Sequence, residues 1–162
     1  MEIPKPEGHT CFACGTANSI GMNLRFYLEG DWVCTDVSLR KDYEGWENMA
    51  HGGIISTLLD EVMSWSILYF KRIFFVTRRM EVKYVRPVLV GVPLHARGRL
   101  LQAEDERFIH VHAEILNGER QVLARAKGEF VELPPERLAF VPEAMKTQMT
   151  DLFTRFGAPS PG

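Results

Sequence analysis

One short stretch of the chain carries the residues with the clearest potential for chemistry. Residues 45–65 read GWENMAHGGIISTLLDEVMSW, and Asp60 stands there among leucines and a valine. A carboxylate among apolar neighbours loses hydration, which raises its pKa and costs free energy unless a partner compensates. Proteins often tolerate the cost of such a group where it serves a function. Asp60 is therefore a catalytic candidate, and an Asp that faces solvent or caps a neighbouring loop is the structural alternative.

The sequence His51-Gly52-Gly53 precedes Asp60, at the point where an apolar helical pattern begins. Two glycines permit close approach of the backbone and leave the N–H groups of the first helical turn uncovered. Because these amides lie at the positive end of the helix dipole, they can stabilise an anion or a developing oxyanion. Each feature alone has a structural explanation, a histidine bonded to the backbone or a tight turn. Their combination with Asp60 favours a catalytic site.

The spacing of these residues bears on the oligomeric state. Asp60 follows Gly52 by eight residues, which is about 12 Å along a helix axis. A reacting carbonyl must lie about 3 Å from both its oxyanion donor and its attacking group. The simplest arrangement takes Gly52 from one subunit and Asp60 from its neighbour. The spacing therefore predicts an obligate dimer, or a dimer of dimers.

The elements that position these residues follow from the hydrophobic periodicity. Residues 52–70 repeat apolar side chains at three- and four-residue spacing and carry further apolar residues on other faces, which predicts a buried helix. Alternating segments bounded by turn signals predict strands, and Asn117-Gly118 is the strongest of these signals. One long helix on a largely antiparallel sheet is an α+β fold, not a parallel nucleotide-binding sheet. The predicted strands are residues 22–29, 32–39, 74–85, 94–103, 107–116 and 121–133, with a turn around residues 104–106.

The length of 162 residues suits a single domain. Residues 1–20, rich in Pro, Gly, Thr and Asn, predict an irregular N-terminal arm, and residues 21–133 hold the helix and strands of the domain. Residues 134–162 predict a C-terminal tail with a short helix near residues 143–156 and a frayed end, GAPSPG.

Composition excludes several classes of function. The net charge of −2, from 19 basic and 21 acidic residues, provides no field for nucleic acid and no basic face for a membrane surface. No segment approaches the roughly 20 apolar residues of a membrane helix, and no signal peptide is recognisable at the N-terminus. Three cysteines, an odd number, fit a reducing cytoplasm better than a disulfide scaffold.

The segment His9-Thr10-Cys11-Phe12-Ala13-Cys14 has residue types that bind metals. Zinc sites usually need four ligands, typically two spaced pairs, and no second pair is present in the sequence. Cys34 stands in a predicted strand. A redox role for C-x-x-C would need a thioredoxin-like βαβ context, which is also absent. The sequence therefore predicts neither a metal site nor a redox site.

The chain resembles the thioesterase superfamily of hotdog proteins, in the branch of the phenylacetic-acid-degradation (PaaI-like) thioesterases. The resemblance rests on HGG followed by LLDE, and on further segments in matching order. These segments are CFACG at residues 11–15, VKYVRP at 82–87 and GEF at 128–130. Together they span residues 11–132, most of the chain.

This resemblance implies a hotdog fold, in which the sheet wraps one long central helix, and hydrolysis of an acyl-CoA to free acid and CoA. Asp60 would activate water or attack the thioester, while the amides of Gly52 and Gly53 polarise its carbonyl. His51 would shape that end of the site, and Thr77 would orient the water or the carboxylate. The site would lie at the interface of a homo-oligomer, with CoA as part of the substrate and no further cofactor.

Three further residues are candidates for contact with the substrate: Asn48, Glu61 and Arg86. Related enzymes often carry Asn or Gln about six residues before the histidine of HGG, where this chain has Gly45. Asn48 is the nearest amide to replace it. Glu61 adjoins Asp60, and Arg86 is one of several basic residues that can meet the phosphates of CoA.

Two other functions remain open. One is dehydration of a hydroxyacyl thioester on the same fold, which usually pairs a catalytic His with a carboxylate across the interface. The other is a non-catalytic acyl-CoA-binding protein, which would usually need a partner domain for its output. The arrangement of HGG and Asp60 resembles the thioesterases more closely than the dehydratases.

Overall fold

The structure, a computed structural model, describes residues 1–102 and 107–157. The end of the strand predicted at 94–103, the turn around 104–106 and the end of the tail, residues 158–162, lie outside the described residues. The elements are β1 Glu2–Ile3, β2 Phe26–Glu29, β3 Trp32–Ser38, α1 Gly52–Lys71, β4 Phe75–Tyr84, β5 Pro93–Leu100, β6 Ile109–Leu116, β7 Val122–Glu132 and α2 Glu143–Arg155. Short 3-10 turns occur at Lys41–Tyr43 and Pro135–Arg137.

The strands form one antiparallel sheet in the order β1-β2-β3-β5-β6-β7-β4. The long helix α1 contacts β3, β4, β5, β6 and β7, so the sheet wraps around it. The predicted α+β fold, with one long helix on an antiparallel sheet, is confirmed. β4 follows α1 directly and lies at the end of the strand order, beside β7.

The helix α1 is stable because most of its surface faces the core. Leu58, Leu59, Val62 and Met63 are fully buried on consecutive turns, and burial of each such side chain contributes about 1.5–3 kcal/mol. Trp65 adds a stacked contact with a residue of β2, at 4.5 Å between ring centroids. The helix ends at a residue in the left-handed region, which closes the last turn.

The hairpin between β6 and β7 forms where Asn117-Gly118 predicted it, but its turn is not centred on that pair. Arg120 is the residue with positive φ, at 63°. The side-chain oxygen of Asn117 accepts the backbone N–H groups of Glu119 and Gln121, at 3.0 and 2.9 Å. These two bonds stabilise a longer loop, because the Asn side chain replaces backbone partners in the turn.

The N-terminal arm is more ordered than the sequence predicted. Within the arm, β1 pairs with β2, while the strand predicted at 22–29 begins only at Phe26. The tail forms α2, the short helix that the sequence predicted near residues 143–156. Leu152 of this helix is buried, and the ring centroid of Phe156 lies 5.2 Å from that of Tyr69 of α1. Among the described residues, no helix is long and apolar enough to cross a membrane.

Close packing of α1 on the sheet requires a glycine in β5. A Cβ atom on Gly98 would lie 2.6 Å from the backbone oxygen of Val62 and 3.0 Å from Oγ of Ser66. We expect Gly98→Ala to lower the free energy of unfolding by about 3 kcal/mol, because the helix must shift to admit the methyl group. Urea unfolding would measure the loss.

Gly118→Ala is the matched control, since a Cβ there meets no atom within 4 Å. It should change stability by less than about 0.5 kcal/mol. An equal effect of the two substitutions would contradict the close approach of α1 and β5.

Candidate functional site

Asp60 and Thr77 are brought together by the packing of α1 against β4. Oγ1 of Thr77 donates a hydrogen bond of 3.0 Å to Oδ1 of Asp60. Asp60 is half-buried, and this burial raises the pKa of its carboxyl group. The hydrogen bond from Thr77 opposes that rise in pKa, while the nearby thiol of Cys11 adds to it. The result is a carboxylate held in one orientation and a stronger base than an exposed Asp.

An irregularity in β4 occurs beside this pair. The pairing of β4 with β7 shifts register between Thr77 and Arg79. A β-bulge of this kind re-aims neighbouring side chains and is common near active sites. It therefore marks the part of β4 at which Thr77 meets the helix.

The start of α1 leaves one amide without a partner. Nδ1 of His51 accepts the N–H of Gly53 at 2.9 Å, so that this amide is already engaged. The backbone oxygen of His51 accepts the amides of Ile54 and Ile55. The N–H of Gly52 donates to no group among the described residues. Of the two predicted oxyanion donors, Gly52 is therefore the one that is free.

Tyr84, near the end of β4, adds a polar group that the sequence analysis did not single out. Its hydroxyl donates to the backbone oxygen of Gly52 at 3.1 Å and lies 2.8 Å from Oγ of Ser56. Because the tyrosine proton goes to Gly52, the Ser56 hydroxyl donates to Tyr84. The only signal in the sequence was the position of Tyr84 in the segment VKYVRP, which carried no role.

The site residues thus form two groups in one protomer. Asp60 and Thr77 lie beside the first half of β4, and the free amide of Gly52 lies with Tyr84 at the other end of the strand. The groups stand about two helical turns apart, close to 12 Å along α1. The structure does not bring the predicted oxyanion donor and the predicted base together within one chain.

The three predicted substrate contacts have different surroundings. Asn48 is exposed in the loop before α1, with a left-handed φ of 63°. Arg86 is exposed beyond β4 and donates through a guanidinium nitrogen to the oxygen of Val122 at 2.6 Å. Glu61 accepts the indole N–H of Trp65 at 3.0 Å, on the side of α1 that faces the arm. Substrate contact by Asn48, Glu61 and Arg86 stays a prediction.

Two groups of described residues have metal-ligating types close together. One contains Cys11, Cys14 and Glu61, with ligand atoms all within 4.8 Å of one another. The other is Glu29, Cys34 and His95, at the same separation. The first group was not foreseen, because its carboxylate comes from α1 and lies far along the sequence from the two cysteines.

Comparison with known protein families finds a likeness over part of the chain. A family model described as "Thioesterase superfamily" matches residues 47–124, the stretch from the loop before α1 into β7. None of the curated proteins compared matches the sequence. The match includes both residue groups of the site.

Solved structures show the same fold. A thioesterase superfamily protein superposes with a TM-score of 0.66 at 27% identity, over 71% of this chain and 56% of that chain. This chain therefore spans little more than half of that protein's length. The Escherichia coli PaaI protein from the phenylacetic acid degradation operon gives a TM-score of 0.61 at 14% identity, over 70% of this chain and 81% of that chain. A Streptococcus mutans protein bound to acetyl-CoA gives a TM-score of 0.59 at 22% identity, over 68% of this chain and 89% of that chain. The hotdog fold is thereby confirmed.

Because burial raises the pKa of Asp60, the stability of the folded chain should depend on pH. The folded chain holds this proton more tightly than the unfolded chain, so stability decreases as the pH rises from the ordinary Asp pKa, about 4, through the folded pKa. We expect Asp60→Asn to raise Tm at pH 7 by a few degrees, since the amide keeps an oxygen for Thr77 and carries no charge. Below about pH 4 the two proteins should melt together. Differential scanning calorimetry of Asp60→Asn and wild type across this pH range measures the two Tm values at each pH.

Asp151→Asn, at an exposed position of α2, is the control and should shift Tm little at any pH. An Asp60→Asn protein that melts below wild type at pH 7 would contradict a destabilising charge at this position.

Proposed function

We propose that this protein is a thioesterase of the PaaI-like branch, which hydrolyses an acyl-CoA to the free acid and CoA with Asp60 as the essential carboxylate. The observation that carries the proposal is the half-buried Asp60 of α1, which accepts a hydrogen bond from Thr77 of β4. The first amide of the same helix, that of Gly52, has no hydrogen-bond partner among the described residues. The family match over residues 47–124 and the likeness to an acetyl-CoA-bound protein support this class of substrate.

The reaction follows from these groups. Thr77 occupies one oxygen of Asp60, so the other oxygen can take a proton from water or attack the thioester carbon directly. In the first course, the attacking water forms a tetrahedral intermediate whose oxyanion accepts the N–H of Gly52. The C–S bond then breaks, and the thiolate of CoA leaves and takes up a proton. In the second course, an acyl–Asp60 anhydride forms and water hydrolyses it.

The site requires two copies of the chain, and β4 provides the surface that joins them. Its outer edge has no partner strand in the described sheet. Val76 and Val85, at the two ends of this edge, are 44% and 41% exposed. An exposed edge strand of ten residues, with charged side chains between its apolar ends, can pair with another strand. Two copies related by a two-fold axis can pair β4 with β4, antiparallel, and extend the sheet.

Such pairing also completes the site. An antiparallel register that sets Thr77 opposite Tyr84 of the second copy sets Val76 opposite its Val85, so that the exposed valines are covered. Asp60 of one copy then stands near Gly52 of the other, because Asp60 contacts Thr77 and Gly52 contacts Tyr84. The same operation creates a second, identical site. The dimer would thus bring Asp60 of one copy close to Gly52 of the other, although the two residues are far apart within one chain.

The tautomer of the His51 ring favours hydrolysis over dehydration. Because Nδ1 accepts the N–H of Gly53, a neutral His51 carries its proton on Nε2 and can only donate there. A dehydratase base must instead accept a proton. His51 is therefore suited to shape the start of α1 and to donate to an oxygen of the substrate.

Release of thiol from a panel of short, medium and aromatic acyl-CoAs tests the activity. We expect turnover of at least one substrate, and a loss of at least about 10²-fold in Asp60→Asn, the scale of a lost general base. The Asp151→Asn protein should match wild type. Binding of acyl-CoA by calorimetry, with no thiol released from any substrate, would instead identify a binding protein.

A complementation assay tests the shared site. Gly52→Pro removes only the free N–H, since proline suits the first helical position and His51, with ψ of 139°, tolerates a following proline. It should cost about 10²–10³-fold in rate. Gly52→Ala keeps the N–H, and its Cβ would approach no atom closer than 3.5 Å, so it should stay active.

Unfolding and refolding a mixture of Asp60→Asn and Gly52→Pro chains should restore about one quarter of wild-type activity. Half of randomly assorted dimers are mixed, and each mixed dimer contains one intact site. No recovery in mixed dimers separated by affinity tags would contradict a site built from two chains.

A further inference from the structure

We propose that Cys11, Cys14 and Glu61 bind a zinc-type divalent cation, which fastens the N-terminal arm to α1. Both thiol sulfurs and a carboxylate oxygen lie within 4.8 Å of one another. Zinc binds cysteine sulfur at about 2.3 Å and carboxylate oxygen at about 2.0–2.2 Å in tetrahedral sites. Ligand atoms at those lengths stand about 3.5–3.8 Å apart, so the three groups need to close by no more than about 1.3 Å.

The backbone of the arm presents the two thiols together. The amide of Gly15 donates to the oxygen of Cys11 at 2.9 Å and closes a turn around the C-x-x-C segment. A Cβ on Gly15 would lie 2.5 Å from that same oxygen, so this turn requires glycine. C-x-x-C in a tight turn is a common half of a zinc site. The other half, which the sequence lacked as a second Cys or His pair, comes from the helix as Glu61.

The charges around Glu61 leave room for a cation. Its carboxylate accepts the indole N–H of Trp65 at 3.0 Å, and no ion pair to it lies within residues 1–102 and 107–157. Lys5 is the nearby base, but Nζ donates to the oxygens of Cys14 and Leu24 and to Oδ1 of Asn23, at 2.7–2.8 Å. All three of its N–H groups are thus used elsewhere.

Burial and hydrogen bonding shift the pKa values of the three proposed ligands in different directions. Burial raises the pKa of Glu61 to about 7. A hydrogen bond from the side chain of Cys14 lowers the pKa of Cys11 to about 5. A bound cation would stabilise the ionised forms of all three groups. Cys14 would release its proton to solvent on binding.

His9 is the candidate for the fourth ligand. Its Nε2 is buried and has no hydrogen-bond partner among the residues that the structure describes. His9 also interacts electrostatically with Cys11, two residues further along the chain. Rotation of the His9 side chain would complete a closed tetrahedral set of two sulfurs, one nitrogen and one oxygen, which is typical of a structural site.

The group Glu29, Cys34 and His95 is a weaker candidate and serves as an internal control. It contains one thiol instead of two, so it offers a zinc-type cation fewer of the soft ligands that such a cation prefers. A substitution at Cys34 therefore removes a buried thiol without touching the proposed site.

The test compares four full-length proteins: wild type, Cys11→Ser, Glu61→Gln and Cys34→Ser. Each is titrated with Co²⁺, and zinc is measured after purification without chelator. We expect wild type and Cys34→Ser to bind one metal ion per chain and to show the near-ultraviolet cobalt–thiolate absorption. Cys11→Ser, at an exposed position, should lose at least about 10²-fold in affinity, more than a change outside the ligand set. Glu61→Gln, which still accepts from Trp65, should bind more weakly with the thiolate absorption retained.

Thermal unfolding supplies a second measurement that does not depend on activity. A chelator should lower Tm of wild type, Cys34→Ser and Asp60→Asn, and should leave Tm of Cys11→Ser unchanged. Absence of a cobalt–thiolate absorption in folded wild type would overturn the proposal, as would loss of the metal in Cys34→Ser instead of Cys11→Ser. Since Asp60→Asn abolishes the proposed hydrolysis but keeps the metal ligands, the two proposals can fail separately.

Discussion

Burial of α1 against the antiparallel sheet is the interaction on which the other features depend. The helix is apolar on most of its faces, so it is stable only where strands cover it. Val62 lies so near β5 that the strand needs Gly98 at the contact. This close packing fixes the rotation of the helix, and with it the directions in which its few polar side chains point.

Polar groups of α1 stand at the margins of this core. Asp60 points to β4, where Thr77 meets it, and Glu61 points to the arm, where the thiols of Cys11 and Cys14 lie. The two carboxylates are adjacent in sequence, yet they differ in surroundings because successive residues of a helix are turned by about 100°. The proposed hydrolysis uses one of these carboxylates, and the proposed cation site uses the other.

The open edge of β4 and the distance between Gly52 and Asp60 are linked, because both groups lie along the same strand. A helix of 20 residues carries its first amide and its catalytic candidate too far apart to meet a single carbonyl. A strand antiparallel to that helix contacts both, Asp60 through Thr77 and Gly52 through Tyr84. In the proposed dimer, two-fold pairing of these strands exchanges their ends and would bring together the two groups that a single chain separates.

The sequence by itself determined the α+β class, the buried helix and Asp60 within it, because periodicity and turn chemistry act over a few residues. Only the tertiary structure decided which polar groups meet. Thr77 was predicted to assist Asp60, but the role of Tyr84, the capture of the Gly53 amide by His51 and the turn of Glu61 toward the arm were not predicted. Each of these depends on how far a helix is rotated and which strand lies beside it. Packing of the whole chain sets both quantities, and no local pattern encodes them.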